Sequence, residues 1–205
     1  MHPNPVFRDA DAGRCLDFAR ARGFGTLILS AETGPLAAHL PFVIEGDGRI
    51  GMHLARSNPI LRRLDTPQPA LLAVTGPDGY VSPGWYGIAD QVPTWNYVAV
   101  HLRGRLERRP AAALRPHLAA LSAEFERRLA KPPWRMEKLD EAVLARLERM
   151  IVPVLLTIEY HDGSWKLGQN KPAAARLSAA EAMLTGTPGS EVAALVELMR
   201  GAAEG

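Results

Sequence analysis

"VPTWNYVAVHLRGRLERRP", residues 92–110, is the stretch whose reading decides the fold. Side chains along a strand point alternately to opposite faces. Val98, Val100, Leu102 and Leu106 share one face, with Gly104 in step between the last two. Trp95, Tyr97, Ala99, His101, Arg103 and Arg105 share the other. The first set is a core face. The second is too aromatic for a plain solvent face and too polar for a second core. Something is expected to lie against it.

Working outward, more strands with the same logic appear. "GTLILS" is short and continuously apolar. "PLAAHLPFVIEG" alternates, with Leu36, Ala38, Leu40, Phe42 and Ile44 on one face. The "GDG" at 46–48 is a tight-turn signal that joins it as a hairpin to "RIGMHLA", where Ile50, Met52 and Leu54 align. "PALLAVTG" reads as a buried fourth strand, "PDGYVSPGWYG" as loop, and "PVLLTIEY" as a sixth strand beginning at a proline. Helices are expected over 9–22, stopping at Gly23, over 111–130 and over 139–150. A shorter one should open at "SNPILRRL", with Ser57 or Asn58 as N-cap and Pro59 at the first helical position. "GSWKLGQNKP" has no period, and two short helices close the chain, one from Ser178 with Glu181 as capping box, one from about Pro188. Six strands joined by hairpins, with one helical excursion, imply a mainly antiparallel β fold with helices (α+β), a closed or nearly closed barrel. A doubly wound parallel sheet needs a helix after nearly every strand, and the sequence lacks that.

Composition narrows the function classes. At 205 residues the chain can bury ~70% of its unfolded surface without a disulfide or metal. Cys15 is the only cysteine, which leaves no intrachain disulfide and no cysteine cluster for zinc or iron–sulfur. No apolar run reaches the ~18 residues of a membrane span, and no signal-peptide pattern is seen. A cytoplasmic protein with no membrane partner is expected. The formal net charge of +2 is too small to be a nucleic-acid footprint. The arginine clusters in "RGRLERRP" and "EFERRLAKPPWR" read as a solvated strand edge and helix face.

Four groups of residues carry chemistry. His39, His53 and His101 each fall opposite the core set of its own strand. That position suits either an ordinary polar outer face or a metal site, but no carboxylate matches it, so no metal is assigned. Arg56, Ser57, Asn58 and Arg62 surround the start of a helix, where free N–H groups and the dipole favour an anion, phosphate above all; an ordinary cap explains Asn58 and Pro59 but not the arginines. G-x-x-x-x-G-K-[ST] does not occur. Trp85, Tyr86, Trp95 and Tyr97 crowd into a proline- and glycine-broken stretch, which suits a planar ligand or a partner subunit better than a regular core. Lys166, Gln169, Asn170 and Lys171 in "WKLGQNK" form either a polar loop or a ligand-clamping tail.

"HLPF", "HLARSNP", "GYVSPGWY", "VPTWNYVAVHLRG" and "KLGQNK" occur in this order and at family-like spacing. Together they resemble the PaiB-like FMN-binding negative transcriptional regulators, over about residues 5–170. The resemblance implies a flavin-binding split β-barrel of the pyridoxamine-phosphate-oxidase type that forms homodimers with FMN at the subunit interface. It implies a barrel domain over 1–175, with the helical insertion at about 110–150, and a helical appendage over 176–205. By the same resemblance, Trp95, Asn96 and Tyr97 meet the flavin or the other subunit, and Arg56, Ser57 and Asn58 hold its phosphate. His39, Leu40 and Pro41 run along the isoalloxazine. Arg62, His53, His101, Lys166, Gln169 and Asn170 complete the expected cofactor set. Where relatives commonly read K-L-S-Q-N, this chain has Gly168, so a hydroxyl donor is missing.

Three function classes follow. One is an FMN-binding negative regulator of transcription; no helix-turn-helix with a base-reading second helix is visible, so its action on DNA, or on another regulatory partner, need not be direct. Another is an enzyme, a flavin-dependent oxidoreductase or haem-handling split barrel, in which the cofactor carries the redox chemistry. A third possibility is an interaction module whose flavin site has decayed. No side chain declares itself a catalyst; His101 and His53 are the candidates.

Overall fold

The computed structural model describes residues 1–46 and 48–203. The chain divides into two compact units. The first comprises Met1–Cys15, Thr75–His101 and Asp162–Gly205; the second comprises Leu16–Val74 and Leu102–His161. Among the described residues there are eight strands. They are β1 Phe24–Leu29, β2 Leu36–Pro41, β3 Val43–Glu45, β4 Arg49–Ala55, β5 Gln68–Val81, β6 Thr94–Arg108, β7 Ile151–Lys166 and β8 Gly189–Ser190. The sheet order is β2-β1-β5-β6-β7-β4-β3, with β8 paired to β5 off this path. The recorded registers, β1 with β2 and β5, β3 and β7 with β4, and β5 with β8, are all antiparallel, as the α+β expectation requires.

The second unit holds the larger core, in which Leu27, Ile50, Met52, Leu72, Leu102, Leu106 and Leu156 are fully buried. The helix α1, Ala12–Arg22, starts where the Asp11 carboxylate accepts from Arg14 N at 2.8 Å and stops at Gly23, whose φ of +61° suits a residue without a Cβ. On β6, Gly104 fits because β7 passes directly over it. A Cβ there would lie 1.8 Å from the Thr157 carbonyl oxygen. The helical excursion is α2, Leu114–Glu126, and α3, Glu141–Glu148, the latter capped by Asp140 through Ala142 N and Val143 N.

The first unit contains α4, Ala173–Met183, and α5, Val192–Gly201, with Ala179, Ala180, Met183, Leu195 and Met199 buried. In β6 the alternation holds without a bulge: Asn96, Val98 and Val100 are buried, and Trp95 is 45% exposed.

Several elements differ from the sequence expectation. The stretch expected as one second strand is two, because Phe42 N leaves the ladder to donate to Gly23 O at 2.9 Å; β2 then pairs with β1, and β3 with β4. The hairpin turn after β3 includes Asp47, which lies outside the described residues. β5 runs on through Gly76–Gly79, because Asp78 and Gly79 pair with Ser190 and Gly189 of β8 and tertiary pairing overrides turn-prone residues. β7 likewise continues through Gly163 to Lys166. The segment after Asn58 is a five-residue 3-10 helix, Pro59–Arg63. Another 3-10 turn, Ala111–Ala113, precedes α2, which ends at Glu126, short of the expected Ala130. The Ser178–Glu181 capping box is unused: α4 starts five residues earlier, after Pro172, and Pro188 leads into β8.

Candidate functional site

Two neighbourhoods hold the residues singled out above, one in each unit. In the first unit, the outward face of β6 presents Trp95, with Tyr97 and His101 half-buried along the same row. The Tyr80 ring stands edge-on to both Trp85 (6.4 Å, 74°) and Trp95 (6.3 Å, 72°). Edge-to-face packing fixes the orientation of these rings. Beside them is an open groove lined by Thr75, Gly76, Asp78, Trp95, Tyr97 and Ala99. Asn96 points the other way. It is 1% exposed and donates to Met199 Sδ at 3.4 Å, which ties the start of β6 to α5.

The polar tail is also ordered. Lys166 donates to Thr94 Oγ1 and, at 2.6 Å, to the Trp95 carbonyl, so it positions the aromatic opening of β6. Gln169 is buried, donates to Trp165 O (2.6 Å) and Val6 O (3.1 Å), and accepts from Leu167 N (2.8 Å). With its amide so engaged, it locks the loop. Gly168 between them has φ +80°, a conformation strained for serine. The missing hydroxyl therefore accompanies a backbone turn that favours glycine. Asn170 is exposed.

In the second unit the expected residues are dispersed among separate partners. His39 is exposed, its Nδ1 2.9 Å from Thr26 Oγ1, whereas Leu40 is a buried core residue and Pro41 is half-buried. Arg56 is exposed, and part of its guanidinium is already engaged. Its Nε donates to Arg149 O (2.6 Å) and a terminal nitrogen to Ile151 O (3.2 Å), so it braces the junction of α3 and β7. Asn58 Oδ1 accepts from Ile60 N at 3.0 Å, an ordinary cap; Ser57 and Arg62 are exposed. The 3-10 helix that follows offers a single turn, and a dipole sums over longer runs of aligned peptides.

His53 is in a setting the strand pattern did not reveal. Its Nδ1 lies 3.1 Å from Nε2 of His117, which α2 carries inward, and burial lowers the pKa of both rings. The Arg109–Glu45 ion pair, 2.6 Å long, stands beside them: Arg109 is among the charges acting on His117, and Glu45 and His117 Nδ1 both border Gly51. His117 was missed, although its spacing from Leu114 and Leu121 places it on the apolar stripe of α2, and that was the available signal. Among the described residues no group of three or more His, Cys, Asp or Glu is placed to hold a metal ion. Among the described residues no helix is long and apolar enough to cross a membrane.

Comparison with solved structures identifies the class. The FAD and heme binding protein of Mycobacterium smegmatis superposes with a TM-score of 0.58 at 21% identity, covering 89% of this chain and 82% of that one. The flavocytochrome Anf3 of Azotobacter vinelandii gives 0.58 at 18% identity, covering 93% and 81%. The fold is that of the flavin-binding split β-barrels. Within it, the chain belongs to the family described as "Putative FMN-binding domain", whose model matches residues 1–160. Membership makes FMN the cofactor. The protease synthase and sporulation protein PAI 2 of Bacillus subtilis (strain 168) is 29% identical over 175 residues, 83% of either chain.

Proposed function

We propose that this chain is an FMN-binding regulatory protein of the PaiB-like type, a cytoplasmic homodimer that lowers transcription of its targets. The observation that carries the reading is the outward face of β6 in the first unit. Trp95 is 45% exposed beside the groove along Tyr97 and Ala99, and Ile88 (43%) and Val92 (72%) are exposed in the segment that leads into β6. Exposed apolar and aromatic side chains of this size suit a ligand or subunit interface. FMN, when bound, supplies a flat, redox-active isoalloxazine. Trp95 and Tyr97 offer it ring faces, and Lys166 holds the strand that carries them. A second copy laid on the same face would exclude water from the flavin. The similarity to a sporulation protein supports the regulatory half of the reading.

The test has two parts. Sedimentation of FMN-loaded protein at micromolar concentration should give a dimer, and a monomer would count against the assembly. Deleting the gene should raise a defined set of transcripts; unchanged transcripts, together with steady flavin turnover on a nicotinamide nucleotide, would favour an oxidoreductase instead.

A further inference from the structure

A separate pocket of the first unit, with a volume of 290 Å³, is lined by His2, Tyr86, Thr94, Lys166, Asn170 and Lys171, among others. Lys166 is half-buried at the end of β7, and both recorded acceptors of its ammonium, the Thr94 hydroxyl and the Trp95 carbonyl, are uncharged. Lys171 donates to the Gln91 side-chain oxygen and sits 5.5 Å over the Tyr86 ring, also uncharged partners. Among the described residues, neither lysine forms an ion pair and no carboxylate lines the pocket. Other cations of the same unit are neutralised: Arg8 by Asp162 at 3.1 Å, and Arg200 by Glu181 and Glu197.

Charge accumulates here further. Burial, and next the charge of Lys171, lower the Lys166 pKa; burial, and next Lys166, lower that of His2. Gly168 forms part of the wall, and a Cβ on it would lie 3.5 Å from Arg176 Cγ. Arg176 is 4% exposed, and its Nε and one terminal nitrogen have no hydrogen-bond partner. Like charges in a partly dehydrated site repel, and such an arrangement is costly unless an anion completes it.

We propose that this pocket binds an oxyanion, a phosphoryl group held between the ammonium groups of Lys166 and Lys171. A phosphate dianion matches two point charges better than a carboxylate does. The group has two possible sources: the phosphate of FMN itself, or a separate small phosphate ester. The site stands on its own residues and does not require the regulatory reading or the dimer.

The experiment is titration of the flavin-free chain with inorganic phosphate at pH 7.5 and low salt, by calorimetry and thermal shift. Saturable binding at one site per chain is expected. Lys166→Gln and Lys171→Gln should each weaken it by about tenfold or more, the loss for one charge-assisted contact. Lys171→Arg should retain binding, and Lys131→Gln, in the other unit, should leave it unchanged. Without phosphate Lys171→Gln should melt no earlier than the parent, since repulsion is relieved, which separates lost binding from lost folding. Repeating the titration on FMN-loaded protein identifies the source: exclusion of phosphate means the flavin's own phosphate fills the pocket, and undiminished binding means a separate ester does. Absence of saturable phosphate binding, or binding indifferent to both glutamine variants, overturns the proposal.

Discussion

His117 should make the protein acid-sensitive in a narrow window. The ring is 2% exposed, its Nε2 meets His53 Nδ1 at 3.1 Å, and its own Nδ1 has no hydrogen-bond partner. Burial, and next the charges of His53 and Arg109, push its pKa down to about 4 from the ordinary 6.5. A lowered histidine pKa means the unfolded chain binds a proton that the folded chain refuses between those values. Stability is therefore complete above about pH 6.5 and falls as pH drops toward 4. At ~1.36 kcal/mol per pH unit, the loss across that window reaches about 3 kcal/mol. His53, lowered by burial, acts in the same direction. The perturbation is His117→Leu, similar in volume and without a titrating group. Urea denaturation of both proteins at pH 4.5, 5.5, 6.5 and 7.5 reads the difference, so that the carboxylates common to both cancel. At pH 7.5 the two should lie within about 1.5 kcal/mol, the usual range for a near-isosteric exchange. At pH 4.5 the variant should be the more stable. Identical pH slopes in the two proteins would refute the reasoning.

Three other substitutions probe the framework. Trp95→Ala should lower flavin-free stability by about 1–2.5 kcal/mol, since Trp95 is half exposed and its edge contact with Tyr80 is modest, while Leu102→Ala on the opposite face of β6 should lower it by about 2–5 kcal/mol. A larger loss for Trp95 than for Leu102, by chemical denaturation, would reverse the face assignment. Gly104→Ala places a methyl against backbone that cannot yield and should meet or exceed the ~3 kcal/mol upper end of ordinary overpacking; soluble expression with an unchanged melting temperature would contradict the β6–β7 approach. Arg56→Ala removes two bonds to carbonyls and should cost about 1–3 kcal/mol in flavin-free protein. Loss of FMN affinity without loss of stability would instead make Arg56 a phosphate ligand.

What could be read from the residues was whatever one strand or helix decides by itself. The alternation of β6 placed Trp95, Tyr97 and His101 opposite Val98, Val100 and Leu102, and the same period held for Ile50, Met52 and Leu54 of β4. Gly23 marked a helix end because capping is local. What failed depended on distant partners. β5 runs through Gly76 and Pro77 because β8, more than a hundred residues later, pairs beyond them. The bracing role of Arg56 was not legible, because its acceptors, Arg149 and Ile151, come from another segment. His53 was read from its strand alone, and its partner sits on a helix 64 residues away. The polar tail was legible as a cluster, yet only the folded loop separates the locked Gln169 from the two lysines with uncharged partners.

The central claim is that the outward face of β6 belongs to a flavin site. The direct measurement is FMN titration of the purified chain, followed by absorbance of the fraction recovered after gel filtration and by tryptophan fluorescence during the titration. Stacking near Trp95 should quench that fluorescence in step with the retained flavin spectrum, at one FMN per chain. Trp95→Phe should remove most of the quenching while keeping the binding, because the phenylalanine side chain still offers a ring face. No retained flavin, or retained flavin with quenching unchanged in Trp95→Phe, would contradict the assignment.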